Sequence, residues 1–347
     1  MEITGRFLRA ANRLPVDATP VWFMRQAGRY MPEYRAIREK YSLLEICAQP
    51  ELAAEVTLQP VRALDVDAAI LFADILLPAI PLGVGLEFAR GEGPILQHPI
   101  RSLADVKNLH PVDPETDLGY VLGAIRLLRA ELTDTPLIGF CGAPFTVASY
   151  LIEGGSSREF LKTKTMMYSD PLAWHALMEK LSSVLTDYLL AQIRAGAQAV
   201  QVFDSWIGTL NAADYVEFVQ PYSRRVLQAA QATGVPVIHF GTGATTLLPE
   251  MKAAGGTVLG LDWRVPLDAG WDLVGPEVAI QGNLDPALLF APLPEIRKRV
   301  HAILRCADGR PGHIFNLGHG ILQNTPVEAV KAVVDMVHEY SVERTNV

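Results

Sequence analysis

The sequence predicts an α/β protein of the (β/α)₈ TIM-barrel class, built as a single domain over residues 1–347. Two observations carry that prediction. Eight short apolar runs recur along the chain, at 20–24, 68–73, 136–140, 199–203, 236–240, 257–261, 278–282 and 313–317. Continuous apolar runs, rather than alternating ones, are what strands look like when a parallel sheet is buried on both faces. The segments between them carry helical spacing, and eight rounds of strand and helix fit a barrel of about 250 core residues plus additions. A doubly wound sheet in two domains is the alternative. No shift in composition marks its boundary, and no Gly-x-Gly-x-x-Gly follows the first run.

Taken in order, a helix is assigned to residues 1–15, ahead of the first run. Residues 34–47 and 50–64 then place Leu44, Cys47, Leu52, Val56 and Leu64 at helical spacing. Residues 84–96 break the alternation: Arg90-Gly91-Glu92-Gly93 between two apolar stretches predicts a β-hairpin inserted after strand two. Asp117 to Leu132 is the next helix. Asp170-Pro171 opens a long one, with proline at the first helical position, that runs to about Ala195 before Gly196. One helix is predicted from Asn211 to Ala232 and a short one after Gly243. Asp285-Pro286 and Thr325-Pro326 open the last two helical segments, the second ending near Tyr340.

Half of the residues are apolar and the net charge is −8, so nothing global points to nucleic acid or an anionic membrane. An anionic ligand would need a local basic cluster. The three cysteines, Cys47, Cys141 and Cys306, are widely spaced, which argues against a disulfide framework. A thiolate zinc site would need a cysteine two residues after His239, where Gly241 stands. The N-terminal residues are broken by charges and show no signal-peptide pattern, and no apolar run approaches the ~20 residues of a membrane span. The expected location is the cytoplasm.

In a barrel of this class chemistry collects at the C-terminal ends of the strands. The first end carries Arg25 and Arg29 with Gly28 between them, in Val21-Trp-Phe-Met-Arg-Gln-Ala-Gly-Arg-Tyr-Met-Pro-Glu-Tyr-Arg35. Two guanidiniums on a glycine-hinged loop form a fork for carboxylates or phosphates, although an exposed arginine pair is the commoner fate. The second end carries Asp74, a carboxylate in an apolar run whose burial is costly without a partner. Ile75-Leu-Leu-Pro78 makes a poor first helical turn, so a capping role explains it badly. Tyr150, on the third loop, reads from pattern alone as a core residue, and Ser205 as a turn or cap residue. Asp204 fits a ligand contact or a loop anchor equally. His239 reads as a satisfied core histidine. The remaining ends supply Asp262 and Trp263, then Gly282 and Asn283, then His319 between Gly318 and Gly320, where backbone close to a ligand is expected.

These motifs together resemble the uroporphyrinogen decarboxylase family over essentially the full length. Pro20 to Arg35 matches one signature of that family, and Gly139-Phe-Cys-Gly-Ala-Pro-Phe-Thr146 matches the other. Leu71-Phe-Ala-Asp-Ile-Leu76, Phe203-Asp-Ser-Trp206 and Asn316-Leu-Gly-His-Gly320 agree in order and spacing, with Trp206 where some members carry another aromatic or histidine. The resemblance implies a cofactor-independent and metal-free carboxy-lyase, usually a homodimer. Its reaction removes the four acetate carboxyls of uroporphyrinogen III, leaving methyls and giving coproporphyrinogen III for heme and chlorophyll synthesis. It implies substrate contacts from Arg25, Gln26, Ala27, Gly28, Arg29, Asp74, Tyr150, Ser205 and His319, with Arg38 a weaker addition and Asp74 and Arg25 closest to the chemistry. In that setting Asp74 is expected to face the pyrrole N–H groups, its pKa lowered by ~1–3 units beside arginines. Two rival functions use the same residues differently. A corrinoid- or thiol-dependent methyltransferase would want the missing His-x-Cys, and a non-catalytic tetrapyrrole binder would have no need of Asp74.

Overall fold

The computed structural model describes residues 5–89 and 93–345. Its frame is a curled parallel sheet of seven strands: β1 (Ala69–Ile70), β4 (Leu137–Gly142), β5 (Ala199–Asp204), β6 (Val237–Gly241), β7 (Val258–Gly260), β8 (Ala279–Gln281) and β9 (His313–Ile314). Neighbours in that order pair in parallel, each with its successor. Two further strands, β2 (Leu86–Ala89) and β3 (Gly93–Leu96), form a separate antiparallel pair. Residues 90–92, where the predicted turn falls, lie outside the described residues, as do residues 1–4 of the predicted first helix.

The first apolar run, 20–24, forms only a single parallel bridge, Val21 with Phe315. It nevertheless lies between the two edges of the sheet. Trp22 N–H donates to the Phe315 carbonyl (3.3 Å) and Phe315 N–H to the Pro20 carbonyl (2.8 Å) on one side. On the other, Asp67 N–H donates to the Val21 carbonyl (2.8 Å), two residues before β1. Its side chains alternate as a strand's do. Val21 and Phe23 pack outward in a buried cluster with Val330, Val333 and Val337 of the last helix. Trp22 and Met24 point inward, where a buried polar belt crosses the concave side of the sheet. Trp22 Nε1 donates to Gln281 Oε1 (3.0 Å), Gln281 Nε2 to Gln201 Oε1 (3.1 Å), and Gln201 Nε2 to Met24 Sδ (3.5 Å). Each amide in this belt is satisfied by a neighbour, as burial requires.

The helices largely follow their sequence signals. Asp170 accepts from Ala173 N–H and caps a helix over Pro171–Ala195, which stops at Gly196 with φ 124°. The helix predicted from Asn211 to Ala232 is two, Ala212–Phe218 and Gln220–Gln231. Pro221 explains the break, because it has no N–H for the carbonyl four residues back and its ring crowds that turn. The segment 34–47 is likewise divided, into Pro32–Arg38 and Leu43–Cys47, the second opened by a Ser42–Glu45 capping box. The first helix is shorter than expected, Arg6–Ala11, and the last is longer, Val327–Thr345. No described helix is long and apolar enough to cross a membrane.

Candidate active site

A cavity of about 540 Å³ opens at the C-terminal ends of the strands. Its inner wall is aromatic. Phe140, Phe203 and Phe240 are inward-facing residues of β4, β5 and β6, with Phe140–Phe203 and Phe203–Phe240 edge to face at 5.5 and 6.1 Å. Phe72 and Phe88 add to it. In the sequence four of these rings fall within apolar strand runs and Phe88 within the predicted hairpin. The available signal was positional: Phe203 stands immediately before Asp204, which breaks the apolar run, and Phe240 before Gly241.

The arginine loop forms one side of the mouth. Arg25, Ala27, Gly28 and Arg29 all line the cavity, and both arginines are exposed and free of ion pairs among the described residues. Arg25 itself takes φ 60°, a left-handed conformation uncommon outside glycine. Several bonds hold it there. Met24 N–H donates to Asn316 Oδ1 (3.1 Å), Ile321 N–H to the Met24 carbonyl (2.9 Å), and Arg35 Nη1 to the Arg29 and Tyr30 carbonyls (3.0 and 2.9 Å). Gln26 is part of this scaffold and not of the cavity lining. Its buried amide accepts from Phe23 N–H (3.1 Å) and donates to the Ala68 carbonyl (3.0 Å). Arg38 also lies away from the cavity, donating to the Tyr41 carbonyl (2.6 Å).

Asp74 sits half-buried in the cavity wall, directly after the run that contains β1. Leu76 N–H donates to Oδ1 at 2.8 Å, and no ion pair reaches the carboxylate among the described residues. The arginine-lowered pKa expected from sequence is overturned. Loss of solvent around the carboxyl raises its pKa, and the Leu76 bond and the charge of Arg25 offset this only in part. The reason is geometric: Arg25 acts at a distance and from an exposed position, where water screens it.

Tyr150, Ser205 and His319 complete the wall. Tyr150 is carried on the helix Pro144–Glu153 and meets Trp206 edge to face at 5.8 Å. Burial first, and then the charge of Asp74, push its phenol up to about 12. Ser205 follows β5 and accepts a Thr242 hydroxyl bond at its carbonyl. His319 is pushed down to about 4, by burial first and then by Arg25 and Arg264. Gly320 N–H donates to its Nδ1 (2.6 Å), which places the proton of the neutral ring on Nε2. The flanking glycines are explained by protein neighbours. A side chain at Gly318 would run into the Trp263 backbone, and one at Gly320 would stand 2.5 Å from Arg25 Cδ. Asp204 and His239 lie behind the wall, fully buried and 3.7 Å apart. Asp204 accepts from Thr146 Oγ1 (3.1 Å), which also receives Trp206 N–H (3.4 Å), so it anchors the loop. His239 is a core residue, but neither ring nitrogen has a hydrogen-bond partner among the described residues.

The cavity thus joins one carboxylate in an aromatic-lined wall to two guanidiniums at its mouth. The uroporphyrinogen decarboxylase family model matches residues 4–340. The chain belongs to the uroporphyrinogen decarboxylase family. It is 61% identical to the uroporphyrinogen decarboxylase of Sorangium cellulosum, over 96% of this chain and 95% of that one. It is 56% identical to that of Solibacter usitatus, over 97% and 98%. Among solved structures, a methyltransferase from Methanosarcina mazei superposes with a TM-score of 0.80 at 21% identity, covering 96% of this chain and 98% of that chain. A B12-independent methionine synthase from Shewanella sp. W3-18-1 superposes at 0.56 and 14% identity, covering 85% and 89%. At those identities the likeness of the two structures to this chain is one of fold alone.

Proposed function

We propose that this protein decarboxylates uroporphyrinogen III, converting its four acetate arms to methyls and releasing coproporphyrinogen III. The observation that carries the reading is the placement of one desolvated carboxylate, Asp74, in a cavity whose mouth bears Arg25 and Arg29. Uroporphyrinogen presents the complement, with four pyrrole N–H groups inside and eight carboxylates outside. Asp74 accepts the N–H groups, recovering the hydrogen bonds it lacks in the free protein. The macrocycle lies against Phe140, Phe203 and Phe240. Arg25 and Arg29 take acetate or propionate carboxylates, Gly28 and Ala27 keep that edge of the mouth low, and Tyr150, Ser205 and the Nε2–H of His319 meet further arms. Gln26 contributes by holding the loop.

Each round begins when a proton adds to the pyrrole carbon next to the reacting acetate, leaving a cationic imine. The C–CO₂ bond then breaks and its electron pair flows into that ring. A proton adds to the exocyclic carbon to make the methyl, and the ring carbon returns its own, so the balance is one proton consumed and one CO₂ released. Positive charge exists only after protonation, so the negative charge of Asp74 lowers the barrier more than it tightens binding. A guanidinium is a poor acid. Arg25 therefore orients the acetate beside the carbon, and water supplies the proton.

Around this site we read the run 20–24 as the eighth strand, closing the sheet into a single-domain (β/α)₈ barrel with residues 84–96 as an inserted hairpin. The protein is taken to act as a homodimer in the cytoplasm, which sedimentation of the purified chain checks for the assembly. The function is tested by anaerobic incubation with uroporphyrinogen III. Stepwise loss of four CO₂ is expected, and binding without CO₂ release would leave a tetrapyrrole carrier instead.

A further inference from the structure

Beyond β7 the chain runs Leu261-Asp262-Trp263-Arg264. The Asp262 side chain is only 2% exposed, and three donors from this protein meet it: Gly243 N–H, Arg264 N–H (2.8 Å) and Arg264 Nη1 (2.8 Å). The guanidinium is held from a second side by the Trp263 ring, 4.0 Å from its centre. That ring in turn packs 6.4 Å from His319, a lining residue of the cavity. Arg264 is nevertheless half exposed, at 50%. An ordinary surface ion pair leaves both partners mobile. Here the acid is buried and the arginine is clamped between a carboxylate and an indole, so its orientation is set in advance. The pair engages Nη1, and a guanidinium has five N–H donors in all.

We propose that Arg264 is a third carboxylate-binding cation of the site, extending the wall of Arg25 and His319 outward to hold a peripheral carboxylate of the substrate. The inference rests on the tetrapyrrole reading above. A macrocycle with eight carboxylate arms cannot keep them all inside a cavity of about 540 Å³ lined by five phenylalanines. Some arms must emerge at the mouth, and a fixed guanidinium beside His319 matches them in charge and in bidentate geometry. The competing role for Arg264 is simply to neutralise Asp262.

Steady-state kinetics of wild type, Arg264→Gln and Arg264→Lys with uroporphyrinogen III separate the two, with an NMR titration of His319 alongside. Arg264→Gln is expected to raise KM about tenfold, with the loss carried mainly in KM, and to flatten the dependence of KM on salt. The His319 pKa should move upward as the neighbouring positive charge is removed. Should Arg264→Gln lose the fold, Arg264→Lys decides, since it keeps a cation for Asp262 without the fork: a raised KM supports the subsite. An unchanged KM in whichever variant folds overturns it, even if His319 shifts. A wild-type protein that releases no CO₂ takes down the proposed function and this subsite together, whereas active wild type with unchanged KM takes down the subsite alone.

Discussion

The rim and the wall of the cavity solve opposite electrostatic problems. At the rim, Arg25 and Arg29 are exposed and unpaired among the described residues, so water stabilises their charge until a carboxylate arrives. In the wall, Asp74 is desolvated with one backbone hydrogen bond, and its pKa is raised. The rim gains modestly from each contact because solvent competes. The wall gains much more from a positive charge that appears beside it, because little water screens the pair. Under the proposed function, binding falls to the loop and barrier lowering to the strand end, although the two lie in one cavity.

That contrast can be broken by substitution. Asp74→Asn should lower kcat about 10²–10³-fold, the usual loss on removing one preorganised electrostatic partner, with uroporphyrinogen binding retained. The same variant should be more heat-stable than wild type at neutral pH. With its pKa raised above 3.8 in the folded state, native Asp74 holds its proton more tightly than the unfolded chain does. Stability thus falls as pH rises through that window and stays lower above it, and asparagine removes the penalty. Melting curves from acid to neutral pH check this, with the gain vanishing below about the unfolded carboxyl pKa.

Next in size, Gly318→Ala should cost more stability than Gly320→Ala. The first drives a methyl into the Trp263 backbone, and the second meets the movable Arg25 stem. Gly320→Ala should fold and raise KM by shifting Arg25, which parallel melting and kinetic measurements distinguish. Arg29→Lys, at the rim, should weaken substrate binding by about tenfold or less, since lysine cannot form the planar fork. The smallest effect belongs to His319→Gln. His319 titrates near 4 when folded and near 6.5 when free, so the unfolded chain takes up its proton first and stability falls as pH drops through that interval. The variant should lose stability less steeply there, by about one proton.

Much of this was legible from residues. Seven of the eight apolar runs contain strands of the sheet, because a strand buried on both faces is mostly apolar along its length. The run 20–24 makes one bridge only, and its role depends on contacts with residues 67 and 315 that local sequence does not announce. Pro221 marked a helix break that periodicity alone passed over. In the site, Arg25, Arg29, Asp74, Tyr150, Ser205 and His319 all line the cavity, whereas Gln26 and Arg38 were named for their place in the sequence and turn elsewhere. The pKa of Asp74 went the other way because Arg25, expected beside it from their shared place at strand ends, makes no ion pair with it among the described residues. The phenylalanine wall escaped notice because a lining phenylalanine and a core phenylalanine look alike until the strands are placed side by side.

In the proposed reaction, Asp74 stabilises charge that forms during reaction rather than merely holding the substrate. The most direct test is a single-turnover experiment in which wild type and Asp74→Asn are saturated anaerobically with uroporphyrinogen III, and bound tetrapyrrole and released CO₂ are followed together. Comparable bound substrate in both is expected, with CO₂ release slowed by about 10²–10³-fold in the variant. Equal rates of release once substrate is bound would contradict that role of Asp74.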